Sequence, residues 1–204
     1  WIEQYAIDPS GLWRGPLQFY LSAGRHTVCM EGVLEPMTIG RLSFEPVSDT
    51  AAPAYTAAYA AYPEKNRVSA QAVVVLQGED ADVKSTQMLF PLADKTSPTV
   101  QPYSHSTIVY NTIGGNQWTN AGQWAQWSFY APESGLYALS AHFKQALKND
   151  SASVREIRID GAAPFAEADN WQFPYASVWQ TEWFADAAGA PFELYLEEGW
   201  HTLR

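Results

Sequence analysis

Two short stretches of this chain set flat rings beside planar amides. One is Asn116-Gln117-Trp118-Thr119-Asn120. The other is Asp169-Asn170-Trp171-Gln172-Phe173-Pro174-Tyr175, with Trp179 and Trp183 beyond it. An indole offers a large rigid apolar face that costs little side-chain entropy to fix. Asn, Gln and Asp offer directional donors and acceptors. Together they can stack on the flat apolar side of a ligand and hydrogen-bond its polar rim. The candidate contacts are therefore Trp118, Asn116 and Asn120 in the first stretch and Trp171, Tyr175 and Trp179 in the second. Packing competes with contact at each ring, because a long loop needs a small core of its own. Trp127 and Phe129 alternate with Gln126 and Ser128 as a half-buried strand does, and are expected inside.

Other chemistries find little support. No Gly-rich phosphate loop, Ser/His/Asp arrangement or metal-spaced His cluster stands out. Cys29 is the single cysteine, so no internal disulfide can form, and His26 three residues earlier supplies only the second of the four ligands a structural zinc needs. Twelve Lys and Arg against twenty-two Asp and Glu give a net charge of -10, which repels phosphate backbones and anionic lipid. Nucleic acid is excluded as an expected partner. No apolar run approaches the roughly 20 residues of a membrane helix, so no membrane insertion is expected. The excess is aromatic: nine Trp, eleven Tyr and nine Phe, more than a core of this size absorbs without some serving elsewhere.

The elements that must carry these residues announce themselves through a repeat. Pro16 to Val28 reads PLQFYLSAGRHTV and Pro191 to Leu203 reads PFELYLEEGWHTL, so Pro, Tyr, Leu, Gly, His and Thr recur without a gap. Self-similarity at one offset marks a repeated structural unit. Tyr20/Tyr195 and His26/His201 follow the repeat and are expected to be structural. The reading is residues 1–47 as the C-terminal half of a first β-sandwich unit, 48–67 as a linker with a short helix capped by Asp49 or Thr50 and stopped by Pro63, and 68–204 as a second sandwich lacking its last strand. Strands are expected at Leu17 to Leu21, Arg25 to Met30, Thr38 to Phe44, Val68 to Leu76, Trp124 to Phe129, Leu136 to Phe143 and Val154 to Ile159, with 162–190 a long decorated loop. Segment 17–45 is the natural piece to complete the second sandwich, in the same chain or a neighbouring one. Short strands between Gly/Pro turns with almost no helix predict an all-β, antiparallel β-sandwich.

The run from Asn111 to Tyr137, with its Gly/Trp loop, Gly122-Gln-Trp124 strand and Pro132-Glu-Ser-Gly-Leu-Tyr137 return, resembles the middle of a galactose-binding-like jelly-roll module. Arg158-Ile-Asp-Gly161 and Gly199-Trp-His-Thr-Leu203 are similar to later strands of the same modules, and Val75-Leu-Gln-Gly-Glu-Asp-Ala81 to the opening strand of calcium-dependent carbohydrate-binding modules. The resemblance covers about residues 68 to 204. It implies a noncatalytic module that binds polysaccharide or oligosaccharide, found in tandem in secreted bacterial polysaccharide-degradation and uptake proteins, hence extracellular or at the cell surface. The rings would then lie on pyranose faces. It also implies a structural calcium near Gln77 and Glu79, although Gln77 keeps an oxygen ligand without the usual charge and Gly40 stands where a final-strand Asp is frequent. A glycan-cleaving enzyme needs two facing carboxylates. The acids near the aromatics are Asp160, Glu167 and Asp169, and no spacing pairs them. The alternative is an architectural spacer or assembly domain of a larger secreted enzyme or solute-binding protein.

Overall fold

The structure, a computed structural model, describes residues 5–6, 16–32, 38–47 and 51–204. The chain divides into two compact units, one spanning Tyr5–Ala51 and the other containing Ala52–Arg204.

The larger unit is an all-β antiparallel sandwich with one short helix, α1 (Tyr55–Ala61). Its strands are β1 (Val83–Lys84), β2 (Pro91–Leu92), β3 (Thr112–Ile113), β4 (Ala125–Ala131), β5 (Gly135–Ala138), β6 (Ser140–Gln145), β7 (Ser153–Arg155), β8 (Trp171–Phe173), β9 (Ala176–Trp183), β10 (Glu193–Leu196) and β11 (Gly199–Leu203). One sheet has the order β1-β4-β11, and Ile159 bridges to the outer edge of β11 at Leu203. Opposite it, β5 and β6 run on almost without a break, with β10 paired to β5 and β9 to β6. The Phe184 N–H donates to Leu139 O at 2.9 Å and the Phe192 N–H to Phe184 O at 2.9 Å, so β9 and β10 behave as one long strand from which residues 185–191 loop out and return.

The core lies between the sheets. Phe129 and Ala131 of β4 meet Leu196 of β10, while Phe165, Phe184, Phe192 and Trp171 form an aromatic cluster with Leu194 and Ile157. Phe165 and Phe184 stack at 5.6 Å with an interplanar angle of 4°. The alternation in β4 puts Ala125 and Phe129 inside as the sequence predicts, with Ala131 beside them, while Trp127 is half-buried. Gly135 is obligatory here: its φ is +151°, and a Cβ would fall 2.7 Å from the Asn66 carbonyl oxygen.

Three local features differ from the sequence reading. Helix α1 ends before Pro63 as expected, and its first N–H, at Tyr55, is capped at 2.8 Å by Glu167 from a distant loop, while the expected caps Asp49 and Thr50 lie outside the described residues. The Tyr55 ring lies 4.7 Å from Phe192 and 5.0 Å from Phe165, which ties the helix to the sandwich. Second, residues 162–190 contain the longest strand, β9, instead of being loop throughout. Third, the segment ending at Leu76 is extended, with Ala72, Val74 and Leu76 turned inward and Val73 and Val75 outward, yet Val73 to Leu76 join no ladder with any described strand.

In the smaller unit the turn of the repeat is reproduced. His26 Nε2 lies 2.7 Å from Ser22 O, and its counterpart His201 Nε2 lies 2.8 Å from Glu197 O. Gly24 and Gly199 adopt φ of +141° and +145°. The described residues 17–32 and 38–47 form no ladder strand, and all of them are exposed.

Candidate functional site

Of the two aromatic stretches, the Gly-rich loop spends its ring on itself. Trp118 closes a 3₁₀ turn (Gly115–Gln117), donates from Nε1 to Gln123 O at 3.0 Å, and carries the Arg155 guanidinium 4.8 Å from its ring centre. Its edge is so close to Gly114 that a Cβ there would lie 3.2 Å from Trp118 Cε3. Gln123 completes the lock, donating to Gln117 O and accepting from the Asn120 N–H. Asn116 and Asn120 are exposed, but the indole between them is half-buried and already faced. Trp171, on β8, is 8% exposed and stands in the aromatic core 5.5 Å from Phe184, so it is a packing residue and not a contact. Tyr175 is exposed at the turn into β9.

Trp179 is where the geometry opens. In the β6–β9 ladder His142 lies opposite Thr181 and Ser140 opposite Trp183, so Ser140, His142, Trp179, Thr181 and Trp183 share the face away from the core, while Ala141 and Phe143 face inward. His142 stacks on Trp179 at 5.4 Å and 24°, and Lys144 Nζ lies 5.3 Å from the same ring. Lys144 is held by Asp94 at 2.5 Å and by Thr96 Oγ1 at 3.1 Å, and Thr99 Oγ1 lies 3.0 Å from His142 Nε2. Burial works to raise the Asp94 carboxyl, but its bonds to Lys144 and Thr96 outweigh that and bring it down to about 2. The Lys144 charge is therefore neutralised on the spot. Beside the ring is a hollow of about 190 Å³ lined by Thr96, Ser97, Thr99, Ser177, Val178 and Trp179, and Trp179 Nε1 is a buried donor without an acceptor. At the other end of the strip Trp183, 49% exposed, borders a wider hollow of about 460 Å³ that includes Tyr137 and the Arg67–Glu193 ion pair. Trp179 and Trp183 are four residues apart on one strand, or about 13 Å.

Sequence reasoning named Trp179 and Trp183 but missed Thr96, Thr99, His142 and Lys144, which come from two other segments and meet only through the sheet. The one available signal was the alternation Ser177, Trp179, Thr181, Trp183, which reads as a strand once outward-facing tryptophans are allowed.

Two of the three acids are engaged elsewhere. Glu167 caps α1. Asp160, at φ +52°, pairs with His201 Nδ1 at 2.7 Å and accepts the Thr202 N–H at 2.8 Å, as its turn position suggests. Around the opening segment, Gln77 O accepts from Trp127 Nε1 at 2.8 Å and from the Asp80 N–H at 3.2 Å, so it is already used. Glu79 Oε2 is buried without a partner, and burial raises its carboxyl. One orphan carboxylate oxygen is a start on the six to eight that calcium takes. Among the described residues no group of three or more His, Cys, Asp or Glu converges where a metal ion could sit. Among them, too, no helix is long and apolar enough to cross a membrane.

No family model and no curated protein matches the chain. Among solved structures it is similar to a ruminal GH26 endo-beta-1,4-mannanase, at 15% identity over 69% of this chain and 23% of that one, with a TM-score of 0.36. The chain thus spans less than a quarter of that protein's length, and a likeness at this level decides nothing about role.

Proposed function

We propose that this chain is a noncatalytic carbohydrate-binding module that acts outside the cell and takes a polysaccharide or oligosaccharide along the outer face of the β6–β9 ladder. The observation that carries the reading is the strip itself: two indoles about 13 Å apart on one strand, with Thr181 and His142 between them and the hydroxyls of Thr96, Ser97, Thr99 and Ser177 around the Trp179 end. A pyranose presents a C–H face to an aromatic ring and hydroxyls to its rim, and this strip offers partners for both. The Asp94–Lys144 pair leaves the site without net charge, which suits neutral sugars better than uronates. Trp118, Asn116 and Asn120 are secondary candidates, since the Trp118 Nε1–H is spent on Gln123 O, whereas that of Trp179 has no acceptor. A structural calcium held by Glu79, with the Gln77 side chain, belongs to the same reading.

Affinity electrophoresis through gels containing neutral polysaccharides, repeated with a chelator, tests it. Retardation by at least one polysaccharide is expected, with Trp179→Ala weakening it about tenfold or more and Trp118→Ala leaving it within about twofold. Retention that survives both Trp179→Ala and Trp183→Ala would sink the strip as the site. An architectural sandwich predicts no retardation in any gel.

A further inference from the structure

The opposite sheet carries a second open aromatic surface. In the β4–β11 ladder Tyr130 pairs with Trp200 and Ser128 with Thr202, while Phe129 and Ala131 turn into the core. Trp200 is 74% exposed and Tyr130 45%. Their rings meet edge to face at 5.8 Å, and the Tyr130 hydroxyl donates to Glu198 Oε1 at 3.2 Å, which fixes the phenol beside the indole. Further along the same face, Gln126 Oε1 accepts from Arg204 Nε at 3.1 Å, and the Arg204 guanidinium lies 3.7 Å from the Trp124 ring. From Tyr130 to Gln126 the face runs about 13 Å, aromatic at one end, hydroxyl-bearing in the middle and amide-bearing at the other.

The shared turn does not ask for this indole. Between the two hairpins Gly, His and Thr are kept, whereas the position of Trp200 is Arg25 in the other copy. The area argues against a protein partner. Aromatic side chains offer about 150–250 Å² each, so this pair presents well under the roughly 800 Å² per partner that a stable protein interface buries. The neighbours Ser128, Thr202, Gln126 and Glu198 add hydrogen-bonding groups instead of apolar area. Glu197 and Glu198 beside the rings disfavour anionic ligands.

We propose that the outer face of β4–β11 is a second glycan platform, on which Trp200 and Tyr130 stack on one extended neutral oligosaccharide while Ser128, Thr202 and Gln126 meet its hydroxyls. This rests on the reading of the chain as a carbohydrate-binding module. Since β4 packs its inner face against β10, the two platforms look away from one another, and one molecule bridges two polysaccharide strands.

Calorimetry with hexasaccharides of β-linked glucose, xylose, mannose and galactose, on the whole chain, tests the second platform. Two sites per chain are expected. Trp200→Ala should remove one of them, Trp179→Ala the other, and the double variant both, with unchanged melting curves reporting intact folding. If Trp179→Ala removes the only site and Trp200→Ala changes nothing, the second platform is overturned and the carbohydrate reading stands. If the unaltered chain binds no hexasaccharide, both fall. If sedimentation shows a dimer that Trp200→Ala dissolves, the face belongs to a protein contact and the proposal fails. Tyr130→Phe, which keeps the ring and drops the bond to Glu198, should weaken the same site about two- to fivefold.

Discussion

Hairpins Pro16–Val28 and Pro191–Leu203 share one sequence phrase and one turn but have different surroundings. In both, a histidine reaches back to a carbonyl four residues earlier, at 2.7 and 2.8 Å, over a glycine whose φ only glycine adopts readily. In the second copy the arms are β10 and β11, zipped to β5 and β4, and Leu196 is 6% exposed. In the first copy the described residues beyond a bridge at Pro16 join no ladder, and the matching Leu21 is 47% exposed. The turn is therefore written locally, in Gly, His and Thr, while strand character is conferred by neighbours.

That contrast can be broken or sharpened by experiment. The largest effect should come from Leu196→Ala, which opens a cavity against Phe129 and Ala131 and should cost about 2–5 kcal/mol in urea denaturation. A cost below about 1 kcal/mol would mean that β10 is not packed as described. Gly199→Ala comes next, at about 1–3 kcal/mol, because an L side chain is strained at φ +145°.

The His201–Asp160 pair should make stability depend on pH. Burial pulls the His201 pKa down, but the bond to Asp160, the Glu197 carbonyl and their charges together raise it above the ordinary 6.5. A raised histidine stabilises the fold fully below its unfolded value, and that contribution is lost as pH climbs through the folded one. Melting temperature should therefore fall as pH rises from about 6 upward, and Asp160→Asn, which retains an acceptor for the Thr202 N–H, should flatten the slope. An unchanged slope would show that the pair is not coupled to folding. The smallest effect is expected for Leu21→Ala, under about 0.5 kcal/mol, because its side chain is already in water.

Legibility from sequence followed the range of each interaction. The turn glycines, the alternation of β4 and the strand returning from Pro132–Gly135 all rest on neighbours in the chain, and they emerge in the structure where expected. The bond from Tyr55 to Glu167 was not legible, because the two lie more than a hundred positions apart and nothing near the helix hints at it. Strand β9 hid behind its own outward tryptophans, which upset the usual apolar-in, polar-out alternation, so the segment read as a decorated loop. The aromatic candidates divided for the same reason. Composition shows that rings are plentiful, but only the sheet register decides that Trp171 enters the core, Trp118 receives Arg155, and Trp179 and Trp183 stay on an outer face. Even the Trp118 loop, with amides on both sides of its ring, could not reveal that Arg155 on β7 would cover it.

The excursion at 185–191 has a practical consequence. Its two ends are held together at Ala185 and Pro191 beneath the Phe184–Phe192 contact, and its tip, at Gly189, is exposed with open space where a Cβ would be. Lengthening a closed loop adds only about 0.6 kcal/mol per doubling. A fluorophore-binding peptide or purification tag spliced in at Gly189 would thus be displayed with little disturbance of the strand beneath it.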